Sequence, residues 1–286
     1  MEIIGNQKIG SMSDGKNSIK SLSCNAIRKE SAYFVDNYMQ LAMKIVQLQF
    51  LNRDFVFMFR GQANDYKNRL GNSSLKPSML RGEINSNKPP AINTLNNRFE
   101  KLIAAEKALV NKVEQEKVFG RDRIKRQRII RWAILQHYEI CTTPLLDVTQ
   151  SLRIAASFAS SGDHDEAFVF ILGVPQVSGA ITASAEVGIQ IVRLASVCPP
   201  SAVRPHIQEG YLLAEYPDCA NSEQKLLYSH SEMDFGRRLI AKFRFNPKQF
   251  WKSSDNFPKI HKKALYPENC QDPMHELAED IKALLA

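Results

Sequence analysis

Three short segments carry residue types suited to chemistry. The first is Phe59-Arg60-Gly61-Gln62, which closes the apolar run 55–59. An arginine at the end of a buried strand has a fixed backbone and a planar, five-donor head. Such a head suits two-pronged binding of phosphate or carboxylate. The same geometry serves a structural ion pair with a core carboxylate, and the motif alone leaves both open. Gly61 lets the chain turn sharply or lets a ligand come close, and Gln62 adds an amide beside it.

The second segment is Leu135-Gln136-His137-Tyr138 followed by residues 141–151, Cys-Thr-Thr-Pro-Leu-Leu-Asp-Val-Thr-Gln-Ser. Asp147 directly follows the apolar pair Leu145-Leu146. Thr149 or Ser151 can cap the helix that follows. A helix N-terminus presents free N–H groups and partial positive charge, so it attracts an anion. One reading is a phosphate or ribose cradle in which Asp147 holds an arginine or a hydroxyl. The other is that His137 and Asp147 are satisfied core polar groups and Thr149 is only a cap. A histidine acts as a base only with a placed partner. The third segment is 204–211, Arg-Pro-His-Ile-Gln-Glu-Gly-Tyr, where Gln208 or Glu209 can project into a cleft or simply form a turn before a strand.

The elements that must position these groups follow from hydrophobic periodicity. Helical spacing runs through 30–51, 95–113 and 121–138, and a short small-residue helix is expected near 150–160. Residues 55–59, 167–172, 187–194, 210–215 and 239–245 read as strands, and 274–285 as a final amphipathic helix. Helices, one strand, more helices and then a strand-rich half predict an α+β fold with a mixed, mainly antiparallel sheet in the C-terminal half. Residues 1–23 read as a flexible tail. Residues 24–286 read as one domain with a helical insertion at about 95–138.

Composition narrows the function classes. The stretch 1–23 has no apolar signal region, and no apolar run is long enough to span a bilayer, so a cytoplasmic protein without a membrane partner is expected. The five cysteines are scattered, with no CxxC or HxxxH pair; they are expected to be free thiols, and no metal site is expected. Neither a dinucleotide-binding glycine fingerprint nor a P-loop is present. The formal net charge of +8 favours phosphate-bearing partners. These are a nucleotide or dinucleotide in a cleft, or nucleic acid along Arg121, Arg123, Lys125, Arg126, Arg128 and Arg131. The basic run also fits the solvated face of an amphipathic helix, with no aromatic residues interleaved for stacking.

Taken together, the segments resemble the FRG domain family, named for the signature at Phe59-Arg60-Gly61. The likeness continues through Gln62, Leu75, Pro77, Ser78 and Arg81. It is densest at Gln136-His137-Tyr138, Thr142, Leu145-Leu146-Asp147, Thr149, Ala155 and Phe158-Ala159. Gln208, Gly210 and Leu265-Tyr266-Pro267 fit its later blocks. Departures are Thr143-Pro144 in place of Thr-Arg, Glu139 where glycine is common, and Val148 in place of an aromatic residue. The resemblance implies a domain of bacterial and phage proteins linked to conflict or defence systems, with no activity generally established.

A more distant likeness is to ADP-ribosyltransferases, which place an arginine at a strand end, a Ser/Thr strand before an alanine-rich helix, and a glutamate before a later strand. That likeness implies NAD as the cofactor. Arg60, Gly61, Gln62, Thr149 and Gln208 would hold it, and Arg60, His137, Asp147, Thr149 and Glu209 would carry catalysis. The alternative is a non-catalytic nucleotide- or nucleic-acid-binding module. On either view Arg60, His137 and Asp147 should line one cleft. Asp147 should be largely buried and should accept hydrogen bonds from backbone N–H groups or an arginine.

Overall fold

The β-branched and aromatic runs form one sheet, and the amphipathic helices cover it. The computed structural model describes residues 4, 8–15, 19–82, 88–227, 233–254, 256–267 and 271–285. In chain order the first elements are β1 (Ile9–Ser11), β2 (Lys20–Leu22), α1 (Cys24–Lys29), β3 (Tyr33–Phe34), α2 (Tyr38–Leu51) and β4 (Val56–Gln62). Three helices follow: α3 (Ile92–Gln115), α4 (Arg121–Arg126) and α5 (Arg128–His137). Next come β5 (Leu146–Thr149), α6 (Leu152–Ala159), β6 (Ala167–Val174), β7 (Ile181–Ser184) and β8 (Ile189–Arg193). The remainder is α7 (Leu194–Val197), α8 (Arg204–Ile207), β9 (Gly210–Glu215), α9 (Ser222–Leu227), β10 (Leu239–Phe245), α10 (Pro247–Lys252), α11 (Lys262–Leu265) and α12 (Pro273–Leu285).

Eight strands lie in the order β3-β10-β6-β4-β5-β9-β8-β7. Only β3 and β10 run parallel; every other neighbouring pair is antiparallel. The fold is therefore α+β with a mixed, mainly antiparallel sheet. The sheet is not confined to the C-terminal half, because β3 and β4 come from the first quarter of the chain and β4 sits near its centre. Strands β6 and β10 are buried almost throughout, as expected of near-continuous apolar runs covered on both faces. Strands β4 and β5 are adjacent, yet α3, α4 and α5 lie between them in sequence. That long excursion places the Arg60 and Asp147 segments side by side.

Several expectations change. Residues 9–11 and 20–22, read as part of a flexible tail, pair as a hairpin, and Ile9 and Met12 are buried in the core. The helix expected from residue 30 starts at Tyr38. Tyr33-Phe34 pairs with Phe243-Arg244 instead, and Asn37 caps the helix by accepting from the Gln40 N–H. The helix expected over 121–138 breaks at Gln127, whose backbone is extended. Strand β4 does not turn at Gly61 but continues to Gln62.

Gly61 has a different reason to be glycine. A Cβ there would sit 1.9 Å from the carbonyl oxygen of Ala155 and 2.7 Å from the Ala159 nitrogen. Helix α6 lies directly on β4, and its backbone fills the space a side chain would need. Gly61→Ala should therefore cost about 3 kcal/mol through overpacking. A fall in the urea midpoint of that order is expected, and an unchanged midpoint would show that α6 can shift without cost.

Candidate functional site

A cleft of about 480 Å³ opens where β4, β5 and β9 lie side by side. Arg60 comes from β4, Asp147 and Thr149 from β5, and Gly210 and Tyr211 from β9. Gln136 and His137 come from the end of α5, Arg204 and Gln208 from the α8 turn, and Arg81, Lys262 and Tyr266 from the rim. The cleft thus brings Arg60 together with His137 and with Asp147, which lies 87 residues further along the chain. It meets α6 along its side, through Ala155 and Phe158, and not at the helix N-terminus where an anion cradle was expected.

Local hydrogen bonds fix the floor. Thr143 is fully buried; its hydroxyl accepts from the Leu145 N–H at 3.2 Å and donates to Gln136 Oε1 at 2.6 Å. Gln136 Nε2 then donates to Asp147 Oδ2 at 2.7 Å. Arg60 donates through Nη1 to the backbone carbonyl of Asp147, not to its carboxylate. Asp147 is partly buried, and its main side-chain donor is the Gln136 amide, where a backbone N–H or an arginine was expected. Burial raises its pKa, while Arg60 and the Gln136 amide pull the other way. Burial also lowers the Arg60 pKa to about 10, offset in part by the Asp147 charge.

Arg204 is 3% exposed. Its guanidinium lies over the rings of Tyr266 at 4.5 Å and Tyr138 at 5.3 Å, and 3.5 Å from Glu139 Oε1. The Nε atoms of Arg60 and Arg204 are both buried without a hydrogen-bond partner, and so is His137 Nε2. Burial first, and the Arg204 charge second, hold the imidazole neutral with its pKa lowered to about 3.

Other expected site residues have structural uses. Thr149 donates to the carbonyls of Gln208 at 2.9 Å and Glu209 at 3.1 Å and accepts from the Ser151 N–H at 3.0 Å, so its hydroxyl is fully engaged. Gln208 is buried and its amide donates to the Leu265 carbonyl at 2.7 Å. Glu209 is exposed at a left-handed turn, φ +44°, and does not line the cleft; neither does Gln62. Sequence reasoning assigned no role to Arg204, Lys262 or Glu139, and named Arg81 and Tyr266 only as parts of motifs. Their convergence depends on loop paths that no local pattern encodes. Among the described residues, no group of three or more His, Cys, Asp or Glu could hold a metal ion.

The model of the FRG domain matches residues 56–167, which include Arg60, Gln136, His137, Asp147 and all of α6. Over these residues the chain is similar to the FRG domain. The blocks at Gln208, Gly210 and 265–267 lie beyond the matched segment. No curated protein and no solved structure matches the chain, and nothing in these comparisons supports the likeness to ADP-ribosyltransferases. The FRG signature has a division of labour here: Phe59 is core, Arg60 faces the cleft, and Gly61 admits α6. No described helix is long and apolar enough to cross a membrane.

Glu139 departs from the family's usual glycine, and its φ is +56°. It follows the end of α5, where the Ile140 N–H bonds the Leu135 carbonyl and the Glu139 N–H bonds the Gln136 carbonyl. That is a helix stop built for glycine. Glu139→Gly should raise stability by about 1 kcal/mol, because the left-handed backbone disfavours a Cβ and the exposed contact with Arg204 contributes little. Chemical denaturation is the measurement, and a loss of stability would show that the Arg204 contact outweighs the strain.

His137 makes a pH prediction. Its folded pKa of about 3 lies below its unfolded value. Between these two values the unfolded chain binds a proton that the folded imidazole refuses. Stability therefore falls as pH drops below about 6.5, by up to about 1.4 kcal/mol per pH unit. The raised pKa of Asp147 acts in the opposite sense, so the informative quantity is the difference between variants. His137→Gln should flatten the slope of unfolding free energy between pH 7.5 and 5.5, and an unchanged slope would assign the imidazole a normal pKa.

Proposed function

We propose that the FRG-domain cleft binds a small phosphate-bearing ligand of the nucleotide or dinucleotide class. The supporting observation is the pair of buried, unpartnered Nε donors on Arg60 and Arg204, two arginines that line one cleft. A buried donor without an acceptor costs about 1–3 kcal/mol, and phosphate oxygens would satisfy both. Arg81 and Lys262 add positive charge at the rim against only Asp147 and Glu139. Phe158, Tyr211 and Tyr266 offer apolar faces for a base. The volume falls within the roughly 300–1,000 Å³ usual for ligand sites.

In the finer reading the ligand is NAD and the protein is a transferase. Arg60 then holds the pyrophosphate side. The carboxylate that steadies an oxocarbenium-like transition state is Glu139 or Asp147, which face the cleft, and not Glu209, which does not. The conflict-system role belongs to this reading, and nicotinamide release by the pure protein is its chemical test.

The nucleic-acid alternative draws less support. Arg131 is paired with Glu106 at 2.7 Å and donates to the carbonyls of Ile124 and Lys125; Lys125 pairs with Glu114 at 2.8 Å. Arg126 donates to the Asp122 carbonyl, and Arg128 lies 6.0 Å from the Trp132 ring centroid. Calorimetric titration with pyrophosphate, AMP, ADP-ribose and NAD tests the cleft. Arg60→Lys keeps the charge but loses the planar fork, so affinity should fall about tenfold or more while the thermal midpoint stays close to wild type. Equal affinity in both proteins would make Arg60 structural. Tight, steeply salt-dependent RNA or DNA binding lost on Arg123, Arg126 and Arg128→Glu would move the function to the helix face.

A further inference from the structure

Helix α2 has two apolar faces. Leu41, Ile45 and Leu48 are buried against the domain. On the opposite side Met39, Met43, Val46 and Phe50 are 53, 61, 69 and 65% exposed. Their spacing of four, three and four residues is that of a helix–helix seam, with the apolar side chains on one narrow stripe. The residues flanking the stripe are Gln40, Ala42, Gln47 and Gln49, none of them charged. In a chain of net charge +8, this is a surface that can meet a copy of itself without bringing like charges together.

The ends of the helix say which way the copy lies. Asp36 precedes the helix and Arg53 follows it; both are exposed, and neither has an ion pair among the described residues. Arg53 packs on its own Phe50 ring at 4.2 Å, at the edge of the stripe. In an antiparallel pair with its twofold axis between Met43 and Val46, Met39 of one copy opposes Phe50 of the other, and Met43 opposes Val46. The same axis sets Asp36 against Arg53, twice. A parallel pair would set Asp36 against Asp36 and Arg53 against Arg53. We propose that the protein forms a twofold dimer through antiparallel α2–α2 pairing, closed at each end by an Asp36–Arg53 ion pair. One helix seam is a small interface, so the dimer should dissociate on dilution.

Sedimentation velocity across a concentration series tests this with the full chain. The wild type should pass from monomer to dimer as concentration rises. Val46→Glu should remain monomeric, its Kd raised at least about a hundredfold by a charge placed in an apolar seam. Circular dichroism should show it folded, since Val46 is exposed. Asp36→Arg and Arg53→Asp should each weaken the dimer about fivefold, and the double reversal should recover wild-type affinity. A wild type that is monomeric throughout, or a dimer that survives Val46→Glu, overturns the interface. Single reversals without effect, or a double reversal without recovery, overturn the antiparallel register. Flotation of a monomeric wild type with phosphatidylserine vesicles would give the stripe to a lipid surface and also overturn the dimer.

Discussion

Helix α6 lies so close to strand β4 that residue 61 has no room for a side chain, and the geometry of the cleft follows from that contact. The helix can approach because Ala155, Ala156 and Ala159, all buried, are small. Once it is seated, Phe158 is delivered to the cleft wall. Strand β4 is held on the other edges as well: Arg60 pairs with Phe170 on β6, and Phe59 with Thr149 on β5. Arg60 therefore has little backbone freedom, which is what a group that must meet a ligand at fixed distance requires. The glycine of the signature and its arginine are coupled, since the first permits the packing that fixes the second.

The cleft spends its polar groups in an uneven way. Thr143 orients the Gln136 amide so that its nitrogen, not its oxygen, faces Asp147. That chain of donors settles Asp147 without calling on Arg60. Arg60 then binds only a backbone carbonyl, and its Nε is left over. Arg204 is similar: two tyrosine rings and the solvent-exposed Glu139 carboxylate hold its plane but leave its Nε unmet. The backbone N–H of Arg204 and the hydroxyl of Tyr138 both donate to Asp272, which is fully buried. The arginine and its stacking partner are thus fixed to the start of α12, far along the chain. The arginine that the family places beside Thr143 is a proline here, yet Arg81 and Arg204 keep the cleft cationic.

The elements legible in the sequence were those whose side chains alone decide the matter. The runs 210–215 and 239–245 are short, mostly apolar and buried, and β9 and β10 cover the same residues. The amphipathic core of α3 was clear for the same reason. The parts that were missed depend on partners. Ile181–Ser184 has little apolar character and is a strand only because β8 pairs with it. Tyr33-Phe34 fits the helical period of α2, but β10 offers it a parallel edge. Within the site, Arg60, His137 and Asp147 announced themselves by polar residues breaking apolar runs. Arg204 and Tyr266 did not, because stacking between segments 62 residues apart leaves no local mark. Glu209 had the right type and sequence position for a cleft carboxylate, but its left-handed turn points it elsewhere.

Arg81 reaches the cleft because the loop after β4 is tied to the far side of the sheet by buried charge. Asp234, 1% exposed, pairs with Arg28 and accepts from the Ser74 hydroxyl at 3.1 Å and the Leu75 N–H at 2.9 Å. Lys242 on β10, also 1% exposed, donates to Asp65 at 2.9 Å and Ser73 at 2.6 Å. Burial lowers the Lys242 pKa to about 8, and the Asp65 carboxylate opposes that shift. A buried pair adds little over an apolar equivalent, but losing one partner strands the other charge at a cost of about 3–5 kcal/mol. What such a network enforces is a single path. Residues 63–75 have few apolar side chains to anchor them, and hydrophobic burial alone would leave their course open. The ion pairs close it, so that Leu75, Met79 and Leu80 enter the core and Ser78 and Arg81 arrive beside Arg60. Specificity of the loop, more than stability of the fold, is the physical reason for burying four charges there.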